Sequence, residues 1–163
     1  MRNNSRNLSV TLLGALLLAG AHARELPYNI TMCHAITFSP LITGKDLSLF
    51  GYEGRGITMS NTEDKTMDNV TYHCLGVMRV AAGNLTQNGY CKFVSTEGDS
   101  FVGEYTHSGP PGSEARWAVM QGTGKWTGIK GGGPYRQVTR GTPVTPGTGQ
   151  ACNRATGSYL LPD

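Results

Sequence analysis

Three polar side chains stand out because their neighbours are apolar or glycine. Glu104 lies inside Phe101-Val102-Gly103-Glu104-Tyr105-Thr106-His107, His73 inside Tyr72-His73-Cys74-Leu75-Gly76-Val77-Met78, and Arg55 between Gly54 and Gly56. A carboxylate in a β-rich run is costly to bury unless it is paired. Held partly protonated there, Glu104 would serve as a general acid or base, and His73 could share that proton work. The glycines beside Arg55 leave room for a ligand or a loop. Each has a plainer alternative: Glu104 pairs in solvent with a neighbouring Lys or Arg, His73 is structural or exposed, and Arg55 is an exposed strand residue. Tyr52, Tyr105 and Trp117 are candidates for the wall of a pocket, with core packing as their alternative.

Other chemistries lack their residues. No G-x-S-x-G elbow is present for a serine nucleophile. Gly124-Lys125 would need Gly at 119 and Ser or Thr at 126 to make a phosphate loop, but Val119 and Trp126 stand there; a dinucleotide turn from Gly122 would need Gly at 127, which is Thr127. Cys33, Cys74, Cys91 and Cys152 contain no C-x-x-C pair, so no zinc site is read. Asp64 and Asp68, near Glu63 and Lys65, match no calcium loop and read as a solvated turn. No cofactor is implied.

The elements that must position these residues are short and β-rich, broken by Gly, Asn, Asp and Pro, with no sustained helical period. Strands are expected over 30–38, 47–59, 70–81, 89–96, 101–107, 115–121, 135–140 and 156–161. The fold class is therefore all-β, a single closed or nearly closed antiparallel barrel of about eight strands. Strand alternation sorts the candidates: His73 shares a face with Leu75 and Val77, opposite Tyr72, Cys74, Gly76 and Met78. Glu104 shares a face with Val102 and Thr106, opposite Phe101, Gly103 and Tyr105. Residues 141–149 form the longest loop, expected at a barrel rim.

Residues 1–23 read as a cleavable export signal. Arg2 and Arg6 precede an apolar run from Leu8 to Ala19, and Ala21-His22-Ala23 supplies the small residues a signal peptidase needs. That run is short of the roughly 20 residues of a membrane span. Residues 24–163 are then one barrel domain, secreted or periplasmic. Removing the leader takes away two arginines and no acid, so the net charge falls from +3 to +1. A nearly neutral chain argues against a nucleic-acid partner. Four cysteines in an exported domain suggest disulfides. Of three pairings, Cys74–Cys91 across a hairpin near Gly83-Asn84 and Cys33–Cys152 joining the two ends is favoured.

The segment Gly122-Thr123-Gly124-Lys125-Trp126-Thr127-Gly128-Ile129-Lys130-Gly131-Gly132-Gly133-Pro134-Tyr135 resembles a signature of the allene oxide cyclase and dirigent barrel superfamily. His73-Cys74-Leu75-Gly76, Gly89-Tyr90-Cys91-Lys92-Phe93 and the run from Gly98-Asp99 to Gly103-Glu104 resemble small secreted bacterial members. The resemblance spans about residues 47–140. It implies a barrel that holds a small apolar or aromatic molecule. The cyclases of the superfamily steer ring closure of an apolar epoxide, and dirigent proteins steer radical or quinone-methide coupling. Physically, the glycines allow a tight turn that would bring Trp126 and Ile129 inward to plug one end. The leading expectation is a small-molecule-binding barrel. The alternatives are an isomerase or cyclase using Glu104 or His73, and a non-catalytic envelope or secreted interaction protein with a solid interior.

Overall fold

The computed structural model describes residues 23–162, so the leader expected at residues 1–23 lies almost wholly outside the described residues. Eight strands follow one another: β1 Arg24–Thr43, β2 Leu47–Ser60, β3 Thr71–Ala81, β4 Asn84–Val94, β5 Ser100–Gly109, β6 Ala115–Gly122, β7 Lys130–Arg140 and β8 Thr148–Leu161, with one 3-10 turn at Gly124–Trp126. Each strand pairs with the next, and β8 returns to β1, closing an antiparallel barrel.

Local chemistry explains the sharp turns. Ala82 and Gly83 both have positive φ, 48° and 75°, the two-residue hairpin geometry that matches strand twist. The strands are longer than alternation alone predicts. β1 runs through Pro27 to Thr43, and β8 starts at Thr148, not at 156. These stretches have weak strand propensity, but β1 and β8 pair continuously from Arg24↔Leu161 to Thr37↔Thr148. The ladder itself recruits them, as tertiary context overrides propensity. β7 likewise starts at Lys130, where Gly131 and Gly132 pair with Tyr159 and Ser158.

The two ends differ. At one, the loops after β2, β4 and β6 fold inward. Trp126 is fully buried and Ile129 nearly so. Trp126 meets Phe101 edge-on at 5.0 Å between ring centroids and Tyr159 at 6.2 Å, while Phe101 stacks on Phe93 at 4.6 Å. Met67 and Val70 complete this floor, braced by Thr58, whose Oγ1 donates to Met67 O at 2.5 Å. At the other end are the hairpins after β1, β3, β5 and β7. Their tips stay exposed, with Leu41 at 75% and Val144 at 89%. The floor is packed, and the mouth is rimmed by hairpins. The loop after β7, expected over 141–149 as the longest, spans 141–147 and is shorter than the 61–70 connection after β2; it lies at this rim, held to β1 by Phe38 N donating to Gly147 O at 2.8 Å.

Candidate functional site

Above the floor, inward side chains of all eight strands surround a cavity of about 110 Å³. Its wall carries Met32, His34 and Ile36 from β1, Tyr52 from β2, Tyr72 and Cys74 from β3, Gln87, Cys91 and Phe93 from β4, Tyr105 from β5, Trp117 from β6, Tyr135 from β7 and Asn153 from β8. These are alternate positions of each strand, which is why one face of every strand reaches the interior.

The polar atoms of the wall are mostly paired with one another. Tyr52 and Tyr105 share an OH···OH bond of 2.6 Å, and the Tyr105 hydroxyl also lies 3.4 Å from Leu75 O. Gln87 Nε2 donates to the Tyr135 hydroxyl at 3.3 Å, and Trp117 Nε1 to the Tyr28 hydroxyl at 2.8 Å. His34 Nδ1 and the Tyr72 hydroxyl are 2.9 Å apart. Two glycines make the Tyr52–Tyr105 contact possible. A Cβ on Gly76 would lie 2.3 Å from the Tyr105 hydroxyl and 2.7 Å from the Tyr52 ring, and one on Gly89 would lie 2.3 Å from the same Tyr105 oxygen.

Burial sets the electrostatics. It raises the phenols of Tyr52, Tyr72 and Tyr105 above their ordinary value. It pushes Tyr135 up to about 12, although the Gln87 hydrogen bond opposes it. Burial also lowers the His34 imidazole below its ordinary value. Near neutral pH all these groups are therefore uncharged, and no Lys, Arg, Asp or Glu side chain extends into the cavity among the described residues.

Tyr52, Tyr105 and Trp117 all line the cavity, from β2, β5 and β6. Glu104, His73 and Arg55 do not join them. All three are exposed on the outer face. Glu104 borders the cavity only through its place in β5 between inward Gly103 and Tyr105, and its outward side chain lies in register with Tyr90 and Ala118. His73 Nε2 meets Glu53 Oε1 at 2.8 Å, and Arg55 Nη2 meets the same oxygen at 2.5 Å. Arg55, then His73, hold the Glu53 carboxyl below its usual range. An acid/base pair of Glu104 and His73 inside the barrel is thus corrected: alternation put them opposite the aromatic faces, and those aromatic faces are the inner ones. Arg55 instead edges an outer groove beside the Cys33–Cys152 bridge.

Both disulfides are formed, Cys33–Cys152 and Cys74–Cys91, each with Cα atoms 4.0 Å apart at directly paired register positions. Cys74–Cys91 belongs to the cavity wall. Asp64 and Asp68 are structural: Asp68 Oδ1 accepts from Ser60 N at 2.7 Å, and Asp64 accepts from Thr66 and from the Tyr159 hydroxyl. No group of three or more His, Cys, Asp or Glu among the described residues is placed to hold a metal. His34, Tyr72, Gln87, Tyr135 and Asn153 are wall residues that reading by charge passes over. Their signal was present in the alternation of Met32-His34-Ile36 and of Tyr72-Cys74.

No protein-family description and no curated protein matches the chain. Among solved structures, the barrel is similar to that of the pterocarpan synthase dirigent protein GePTS1. The TM-score is 0.53 at 10% identity, covering 93% of this chain and 99% of that one. A second, PsPTS1, also a pterocarpan synthase dirigent protein, gives a TM-score of 0.49 at 13% identity over 86% of this chain and 96% of its own. The likeness to GePTS1 is one of fold, in agreement with the dirigent-type barrel that the Gly122–Tyr135 segment resembles.

Proposed function

We propose that the chain is an exported small-molecule-binding barrel that admits one ring of an uncharged aromatic ligand through its hairpin-rimmed mouth. The observation that carries this reading is the cavity itself, walled largely by aromatic rings and floored by Trp126, with the outward Glu104 as the one charged residue bordering it among the described residues. An apolar cavity of about 150 Å³ can hold benzene. The 110 Å³ here matches a single ring better than a fused system. Pockets for drug-sized ligands are larger, roughly 300 Å³ upward, so the rest of a longer ligand would lie at the mouth. Ligand and phenols would form offset or edge-on ring pairs. Two disulfides fit an oxidising compartment, and the leader would deliver the chain there. No helix among the described residues is long and apolar enough to cross a membrane.

Tryptophan fluorescence tests this reading, because Trp117 faces the cavity and Trp126 is sealed in the floor. A single-ring probe such as acetophenone should quench the wild type saturably. Trp117→Phe should lose the quenching and Trp126→Phe should keep it. Linear, non-saturating quenching in the wild type would refute the binding site. Amino-terminal sequencing of the protein secreted by its host should begin at Arg24.

A further inference from the structure

Most of the cavity's polar groups are engaged with one another, which makes the exceptions informative: Asn153 makes no side-chain hydrogen bond among the described residues, and His34 keeps one ring nitrogen free. His34 is bonded through Nδ1 to Tyr72, and Nε2 has no hydrogen-bond partner among the described residues. It is also absent from the buried polar atoms left without partners, which are Trp126 Nε1 and Arg154 Nε. Nε2 therefore borders open space, and His34 lines the cavity.

Which nitrogen carries the proton follows from the partner. The Tyr72 hydroxyl has no bond in the described structure other than that to His34. A phenol is a good donor, and an imidazole nitrogen is a better acceptor than a phenol oxygen. Tyr72 therefore donates to Nδ1, and the neutral ring carries its proton on Nε2. The same accounting fixes a second donor. Gln87 donates to Tyr135, which leaves the Tyr135 O–H free to point elsewhere. Tyr52 and Tyr105 consume their protons in the chain Tyr52 to Tyr105 to Leu75 O.

The geometry points to His34 as the polar anchor of the cavity, its Nε2–H donating to a carbonyl oxygen on the bound ring, with Tyr72 as the residue that fixes this tautomer. This rests on the binding function proposed above and narrows its ligand to a neutral aromatic carbonyl compound. The chemistry excludes charged heads. Among the described residues, a carboxylate would enter a space into which no cation points, and an ammonium group one into which no carboxylate points. A carbonyl oxygen needs only a neutral donor, and burial in an apolar site strengthens that bond. Burial also favours the neutral ring by keeping the imidazole below its ordinary value.

Acetophenone and α-methylstyrene have the same outline, but only the first carries a carbonyl oxygen. Calorimetry on wild type and His34→Leu gives the ratio of their affinities in each protein. One neutral hydrogen bond is expected to move that ratio roughly fivefold against acetophenone in the variant. Two measurements on the wild type keep the proposal testable if the variant does not fold. The infrared carbonyl band of bound ¹³C-acetophenone should lie below its position in an apolar solvent. The ¹⁵N shifts of the His34 ring should show the proton on Nε2, and Tyr72→Phe should abolish that preference. A wild type that binds both compounds with an unshifted carbonyl band, or a ring protonated on Nδ1, would overturn the anchor while leaving the binding site intact. A wild type that binds neither would overturn the binding site and the anchor together.

Discussion

At the scale of single residues, the interior is governed by the cost of charge. His34 is surrounded by Tyr72 and the other phenols of the wall, with no carboxylate or cation facing it among the described residues, so burial sets its shift and lowers it. The unfolded chain then takes up a proton at this side chain before the folded one does. Stability linked to His34 is present in full above the ordinary imidazole value of about 6.5. It declines as pH falls from there toward the lower folded value. The stability difference between wild type and His34→Leu, from urea denaturation between about pH 7.5 and about pH 5.5, should therefore shrink on acidification. A difference independent of pH would show that His34 is not held neutral. This residue also marks what could be read from sequence and what could not. Period-two alternation sorted both faces of β3 and β5 correctly. It did not say which face was inner, and the charged face drew attention to Glu104 and His73. The opposite face, with Tyr72 and Tyr105 beside Gly76 and Gly103, carried the answer in its side-chain sizes. Glycines alternating with tyrosines make room for rings, and rings pack inward.

At the scale of elements, the barrel works by interleaving large and absent side chains across neighbouring strands. Tyr105 on β5 reaches over β4 to the backbone of β3 because Gly89 and Gly76 leave the space. A methyl at position 76 meets two phenols and, at 2.8 Å, the carbonyl of Asn88, which cannot rotate away. Gly76→Ala should therefore cost about 1–3 kcal/mol by overpacking, measured as a lower urea midpoint, and should break the Tyr52–Tyr105 bond. A neutral outcome would mean the β3–β4 ladder yields more easily than its pairing suggests. The floor is the other such device. Trp126 sits in a short 3-10 turn that owes its place to burial against Phe101 and Tyr159. Trp126→Ala should cost about 3–5 kcal/mol, and thermal unfolding would reveal it. This plug was legible in the sequence, because a tryptophan among closely spaced glycines between strands has few other places to go. The ends of β1, β7 and β8 were not. Pro27, Gly131 and Gln150 are weak strand formers, and only the partner strand recruits them.

At the scale of the whole molecule, closure is the expensive step. Seven of the eight strand pairings join neighbours in sequence, but β8 must find β1 across almost the entire domain. The Cys33–Cys152 bridge ties that pairing at a separation of 119 residues, whereas Cys74–Cys91 closes only 17 within one hairpin. Loop-closure entropy then assigns the first bridge about 5 kcal/mol and the second about 3 kcal/mol. Replacing both cysteines of each pair by serine should destabilise the Cys33/Cys152 variant more. It should also slow its refolding, since the long loop must close before β1–β8 contacts reward it. The effects on binding should run the other way. Cys74 and Cys91 line the cavity and Cys33 and Cys152 face the outer groove, so only the hairpin pair should alter the affinity for an aromatic probe. Urea denaturation, stopped-flow refolding and a fluorescence titration on the two variants separate these roles. Equal stability losses and equal refolding rates would show that the register of β1 and β8 forms without its covalent tie. A closed barrel would then be specified by the ladder alone, and the outer bridge would guard the finished fold without guiding its closure.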